Sequence, residues 1–222
     1  MLGPASRCAG ARRARAMTVR LHAGDLPAHI DFGAAVAIDT ETLGLDVRRD
    51  RLCVVQLSSG DGSADIVQIA PGQTRAPNLE RLLADPAVLK LFHFGRFDMA
   101  CLCHAFGIMP APVYCTKIAS KLARTYTDRH GLKDLVRELI GVDLSKQQQS
   151  SDWGAPALSE AQLVYAASDV LHLHALRGRL DAMLARENRD ALARAAFAYL
   201  PDRVRLDLAG FAEMDIFSHA SP

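Results

Sequence analysis

Four acids and a tyrosine carry the chemistry available to this sequence. Asp39 and Glu41 stand two apart in Val36-Ala37-Ile38-Asp39-Thr40-Glu41, a run that reads as a buried strand. Side chains alternate faces along a strand, so both carboxylates project to one side. They repel each other there, and desolvation sharpens the repulsion. A divalent cation between them removes the conflict, and carboxylate oxygens suit hard ions such as Mg²⁺ or Mn²⁺. A strand end with solvated acids is the competing reading of these residues alone. Asp98 follows the apolar run 88–93, at the first turn of an expected helix. Ligands of open α/β sheets collect at that edge. Tyr165 and Asp169 are four apart and share a helix face. Ala166, Ala167 and Ser168 between them let that helix approach a sheet closely.

These residues need a scaffold, and the patterning supplies an α/β one. Strands are expected at 19–23, 36–41, 52–57, 64–69, 88–93 and 113–115. Gly60-Asp61-Gly62 marks a hairpin, so the sheet should begin as an antiparallel meander. Helices are expected at 77–83, 97–106, 117–124 with Thr116 as cap, and 132–140 ended by Gly141. A long helix should run from Glu160, capped by Ser159, to about 184, and a last one over 188–200. Pro201 should end it, followed by an extended tail to Phe217. The expected architecture is a mixed five- or six-stranded sheet flanked by helices in one domain, residues 17–222.

The chain has 222 residues, is 50% hydrophobic and carries a formal charge of +1. Residues 1–16 hold Arg7, Arg12, Arg13 and Arg15 and no acid, so the remainder is net acidic. A large basic face for long duplex nucleic acid is not expected. The Arg-rich head could serve organellar targeting, but the preferred reading is an extension outside the domain, either disordered or a misassigned start, with Met17 the expected initiator. The cysteines (Cys8, Cys53, Cys101, Cys103, Cys115) form no CxxC pair, and Cys53 and Cys115, in apolar runs, read as buried thiols of a reducing compartment, with a cytoplasmic location expected. No apolar run is long enough to span a bilayer, so no membrane partner is expected.

Asp39-x-Glu41, Asp98 and Tyr165-x-x-x-Asp169 resemble, in order and context, the three motifs of the DEDDy 3′–5′ exonucleases, a superfamily that includes ribonuclease D. The runs 39–45, 51–60, 92–98, 115–122 and 146–153 look like the nanoRNase C group of short alphaproteobacterial enzymes. The resemblance implies a ribonuclease H-like/DEDD exonuclease fold. It implies an exoribonuclease that degrades short single-stranded RNAs, dinucleotides included, to 5′-mononucleotides, with DNA as an alternative substrate. It also implies a homo-oligomer, an octameric ring being the form suggested. Ribonuclease D-like trimming of longer RNA ends, DNA exonuclease activity and a non-catalytic nucleic-acid-binding protein are the alternatives.

By that resemblance two divalent cations, Mg²⁺ or Mn²⁺, would bind Asp39, Glu41, Asp98 and Asp169, one activating water and the other stabilising the leaving oxygen. Asp39 would be shared, and Tyr165 would position the water. Thr42 and Leu43 should face the terminal nucleotide, Leu43 as a wedge or simply as core. His93 and Arg96 could touch phosphate, though a core histidine is an equal reading. Arg124, Arg129, His130, Lys133, Lys146, Gln147, Gln148 and Gln149 could clasp phosphate and sugar, or form a solvated face. Trp153 could stack on a base or anchor its loop. The apolar C-terminal tail could pack on its own domain or on a neighbouring subunit, the latter being favoured.

Overall fold

The structure is a computed structural model, and it describes residues 17–145, 147–148 and 150–219. The expectations for residues 1–16, Lys146 and Gln149 lie outside the described residues. Six strands, β1 (Thr18–Ala23), β2 (Ala35–Thr42), β3 (Leu52–Ser58), β4 (Ser63–Gln68), β5 (Leu89–Phe92) and β6 (Val113–Cys115), form one sheet in the order β1-β4-β3-β2-β5-β6. The meander β2-β3-β4 is antiparallel as expected. β5 joins β2 in parallel, and β6 joins β5. β1 comes back beside β4 in parallel, which the meander alone did not foretell. β3 is buried at all seven positions, as its near-continuous apolar run requires of a strand covered on both faces.

Helices α1 (Pro77–Ala84), α2 (Arg96–Phe106), α3 (Thr116–Ala123), α4 (Leu132–Leu135), α5 (Glu160–Leu171), α6 (Leu173–Arg186) and α7 (Asp190–Leu206) surround the sheet. A wider π-type turn, Val136–Ile140, prolongs α4, and Gly141 closes it at φ 78°. Ser159 opens α5 with a reciprocal cap: its hydroxyl accepts from the Gln162 N–H, and the Gln162 side chain accepts from the Ser159 N–H.

Three expectations need correction. The long helix is two, bent at His172. α5 lies on β1 to β4, whereas α6 turns onto α3 and α7. One residue out of line leaves the 3.6-residue periodicity intact, so the pattern hides the bend. The last helix runs through Pro201 to Leu206, and Asp207–Phe211 continues it as a π-type turn where an extended tail was expected. Interior proline costs about 3 kcal/mol. Burial of Leu200 and Val204 on one face, with the Arg203–Asp207 pair at 2.9 Å, offsets that cost. Thr116 does not cap α3 but is its first residue, and its hydroxyl donates instead to the Phe92 carbonyl at 3.2 Å.

Candidate active site

β2 delivers both of its acids to one face of the sheet and the residue between them to the other. Asp39 and Glu41 point toward α5, where Asp169 meets them, and one oxygen from each of the three carboxylates lies within 4.8 Å of the others. Thr40 points the other way and donates to Asp98 Oδ1 of α2 at 2.7 Å. The β2–β3 register slips by one residue between Glu41 and Thr42, an irregularity of the kind that re-aims side chains beside active sites. Ala166 and Ala167 are fully buried, so α5 sits close enough for Asp169 to reach the strand end.

The electrostatics are those of acids held together without enough counter-charge. Burial, then Asp98, Asp169 and Glu41, push the Asp39 carboxyl far above the usual range. Burial, then Asp169 and Asp98, raise Glu41 to about 9. Burial raises Asp98 to about 7 against the Thr40 hydrogen bond. Burial and Asp98 raise Asp169 to about 7 against the hydrogen bond from Tyr165. Clustered oxygen donors that cannot comfortably all ionise are what a hard divalent cation relieves, so this set fits one. Tyr165 is raised above its ordinary value by burial and by Asp169, so its hydroxyl stays protonated at neutral pH.

Asp39, Glu41, Tyr165 and Asp169 line a cleft of about 320 Å³ together with His93 and Lys133. Thr40, Asp134, Leu144 and Ser145 also line it and were not singled out in the sequence. Asp98 stands behind them, 4% exposed. His93 Nδ1 is 2.9 Å from Thr116 Oγ1. Burial and the nearby Lys117 lower its pKa to about 3, so it is a neutral imidazole and not a cation for phosphate.

Other expected contacts are placed elsewhere. Arg124 is 1% exposed, ion-paired with Glu138, and donates to the Arg129 carbonyl at 2.8 Å. It is a core residue. Trp153 is 3% exposed with its ring centroid 6.0 Å from that of Tyr165, which makes it the packing anchor of its loop. Arg96 is bound by Asp207 and the Ala212 carbonyl. His130 meets Ser120 Oγ at 2.8 Å, and Arg129 is exposed. The Thr42 hydroxyl donates to the Gly44 carbonyl, and Leu43 is 54% exposed, its tip against Gly154. Gln147 is exposed, while Gln148 is half-buried and accepts from Ser151.

A family model described as 3′–5′ exonuclease matches residues 22–185. The chain belongs to this 3′–5′ exonuclease family, in its ribonuclease D-like, NrnC group. Its four acids and tyrosine are therefore the enzyme's candidate catalytic set. Among solved structures, Brucella melitensis NrnC with bound Mg²⁺ is 60% identical with a TM-score of 0.89, covering 92% of this chain and 100% of that one. The same protein bound to pGG is 61% identical with a TM-score of 0.90, at the same coverage. Escherichia coli RNase D is 27% identical with a TM-score of 0.70, over 78% of this chain and 45% of that one. A curated ribonuclease D from Gluconacetobacter diazotrophicus is 39% identical over 75% of this chain. The chain spans only 42% of that relative's length. No described helix is long and apolar enough to cross a membrane.

Proposed function

We propose that this exonuclease hydrolyses short single-stranded RNAs from the 3′ end, dinucleotides included, and releases 5′-mononucleotides. The observation that carries the reading is the likeness to Brucella melitensis NrnC bound to pGG, at 61% identity over all of that chain. The small cleft supports it, since about 320 Å³ suits a few nucleotide groups rather than a long strand.

Asp39, Glu41, Asp98 and Asp169 would hold two divalent cations, Mg²⁺ or Mn²⁺. Such ions supply a lowered water pKa and charge neutralisation at the leaving 3′ oxygen. Asp39 and Glu41 bring their charge from one strand end, and Asp169 closes the cluster from α5. Tyr165, protonated and hydrogen-bonded to Asp169, orients the attacking water; with its pKa raised it is a poor base. Trp153 packs behind the tyrosine ring and holds it in place. Lys133 offers a positive charge in the cleft for a phosphate.

The competing reading, trimming of longer RNA 3′ ends, draws on the likeness to ribonucleases D. A product ladder from 5′-labelled RNAs of two to seven nucleotides, set against a 20-mer, separates the two. Shortening from the 3′ end with fastest turnover of the shortest RNAs is expected. Faster turnover of the 20-mer would overturn the proposal. Asp39→Ala should abolish product.

Assembly into a homo-oligomer belongs to the same reading. The C-terminal segment packs partly on its own domain, with the Tyr199 and Phe217 rings 6.1 Å apart. Yet Phe211, Met214, Ile216 and Phe217 stay exposed, Phe217 by 77%, which favours a neighbouring subunit as cover. Light scattering that returned a monomer would remove this part.

A further inference from the structure

Four carboxyl groups, Asp39, Glu41, Asp134 and Asp169, line the cleft, and one of its nitrogens is set up as a further acceptor. His93 directly follows β5 and lines the cleft beside Asp39, Glu41 and Asp169. Its Nδ1 faces Thr116 Oγ1 at 2.9 Å. The Thr116 hydroxyl also lies 3.2 Å from the Phe92 carbonyl, which can only accept. A hydroxyl has one proton to give, so the two contacts form together only when Thr116 donates to the carbonyl and accepts from Nδ1–H, and the network assigns the proton to Nδ1 on that ground. In a neutral imidazole this leaves Nε2 as a bare acceptor. Burial and Lys117 keep the ring neutral, with its pKa near 3. Nε2 has no hydrogen-bond partner among the described residues.

A bare acceptor repels a phosphate oxygen and welcomes a hydroxyl. We propose that His93 Nε2 accepts a hydrogen bond from a ribose 2′-hydroxyl of the substrate, and that the Phe92 carbonyl, Thr116 and His93 form a fixed relay that makes this enzyme select RNA over DNA. His93 is then a specificity residue, and Thr116 is a positioning residue that sets its tautomer. Deoxyribose has no donor at that position and leaves Nε2 unpaired, the situation in which polar sites discriminate most strongly. The inference rests on the reading of the cleft as a site for short oligonucleotides and adds the sugar chemistry it recognises.

The test compares kcat/KM on a 5′-labelled diribonucleotide, its 2′-deoxy form and its 2′-fluoro form. Wild type should prefer the ribose form by about tenfold or more, the factor one lost hydrogen bond of about 1.4 kcal/mol gives. His93→Ala should lower turnover of the ribose form about tenfold more than that of the deoxy form, so the preference collapses. Thr116→Val should weaken the preference in the same direction. A ribose preference in His93→Ala equal to wild type overturns the inference. So does wild-type turnover of the 2′-fluoro form at the ribose rate, a result that needs no variant to fold. Wild type inactive on all three dinucleotides would instead sink the proposed function itself, and this inference with it.

Discussion

The Thr40 hydroxyl donates to Asp98 Oδ1 at 2.7 Å, joining the middle of the Asp39-Thr40-Glu41 strand end to the helix on the far face of the sheet. Both side chains are buried, Thr40 at 6% and Asp98 at 4% exposure. Asp39 and Glu41 look toward α5 while the residue between them grips the fourth acid from behind. Thr40→Val keeps the shape and removes the donor. Activity on a labelled diribonucleotide should fall about 10–100-fold, as when outer partners of metal-binding residues are lost. Thr40→Ser should restore most of it.

Gln56 bears on Asp39 in a similar way. It lies opposite Asp39 in the β2–β3 register and is fully buried, and its Nε2 donates to Asp39 Oδ2 at 3.4 Å. Its Oε1 has no partner, a cost of about 1–3 kcal/mol that methionine would not carry. Gln56→Met should therefore unfold at the same temperature as wild type or higher, while its Mg²⁺ affinity by calorimetry falls about tenfold. A metal-free variant that unfolded well below wild type would make Gln56 a core residue only.

Lys90 gives a pH dependence whose sign can be worked out. It is 0% exposed, donates to the Asp85 and Ala111 carbonyls, and burial lowers its pKa from 10.5 to about 8. Between about 8 and 10.5 the unfolded chain binds more protons than the folded one, so this group's contribution to stability rises with pH across that window. Below it both states are protonated and the full cost remains. Urea unfolding from pH 7.5 to 10.5, with metal chelated, should show wild type gaining on Lys90→Met by about 3 kcal/mol.

Arg124→Leu tests the reassignment of that residue from substrate to core. Removing it strands Glu138 and the Arg129 carbonyl. Breaking a fully buried pair costs about 3–5 kcal/mol, and the 32% exposure of the Glu138 side chain lets water recover part of it. A loss of about 2–3 kcal/mol in urea unfolding is expected, with KM for the dinucleotide nearly unchanged. A large rise in KM at unaltered stability would return Arg124 to the substrate.

Much of the site was legible because its signals are local. Asp39 and Glu41 share a face by strand alternation, and Tyr165 and Asp169 by helical spacing. Gly141 and Ser159 mark helix ends through backbone chemistry that neighbours hardly alter. Where a residue's role depended on distant partners, type and position misled. Arg124 has the composition of a phosphate ligand, but Glu138 claims its charge inside the core. Trp153 could stack on a base, but the back of Tyr165 claims its ring.

The sequence by itself determined the kind of chemistry: five residues of the right types, in order, on the right kinds of element. Tertiary structure decided the geometry. It chose that α5 stops at His172 after laying Asp169 beside Asp39 and Glu41, and that α2 presents Asp98 from the other face. It chose that His93 Nδ1 meets the hydroxyl of Thr116, twenty-three residues away, an oxygen that also reaches the Phe92 carbonyl. Periodicity encodes which way a side chain points. Which oxygen or nitrogen it meets, and with which proton between them, depends on elements far apart in the chain packing to within hydrogen-bond distance.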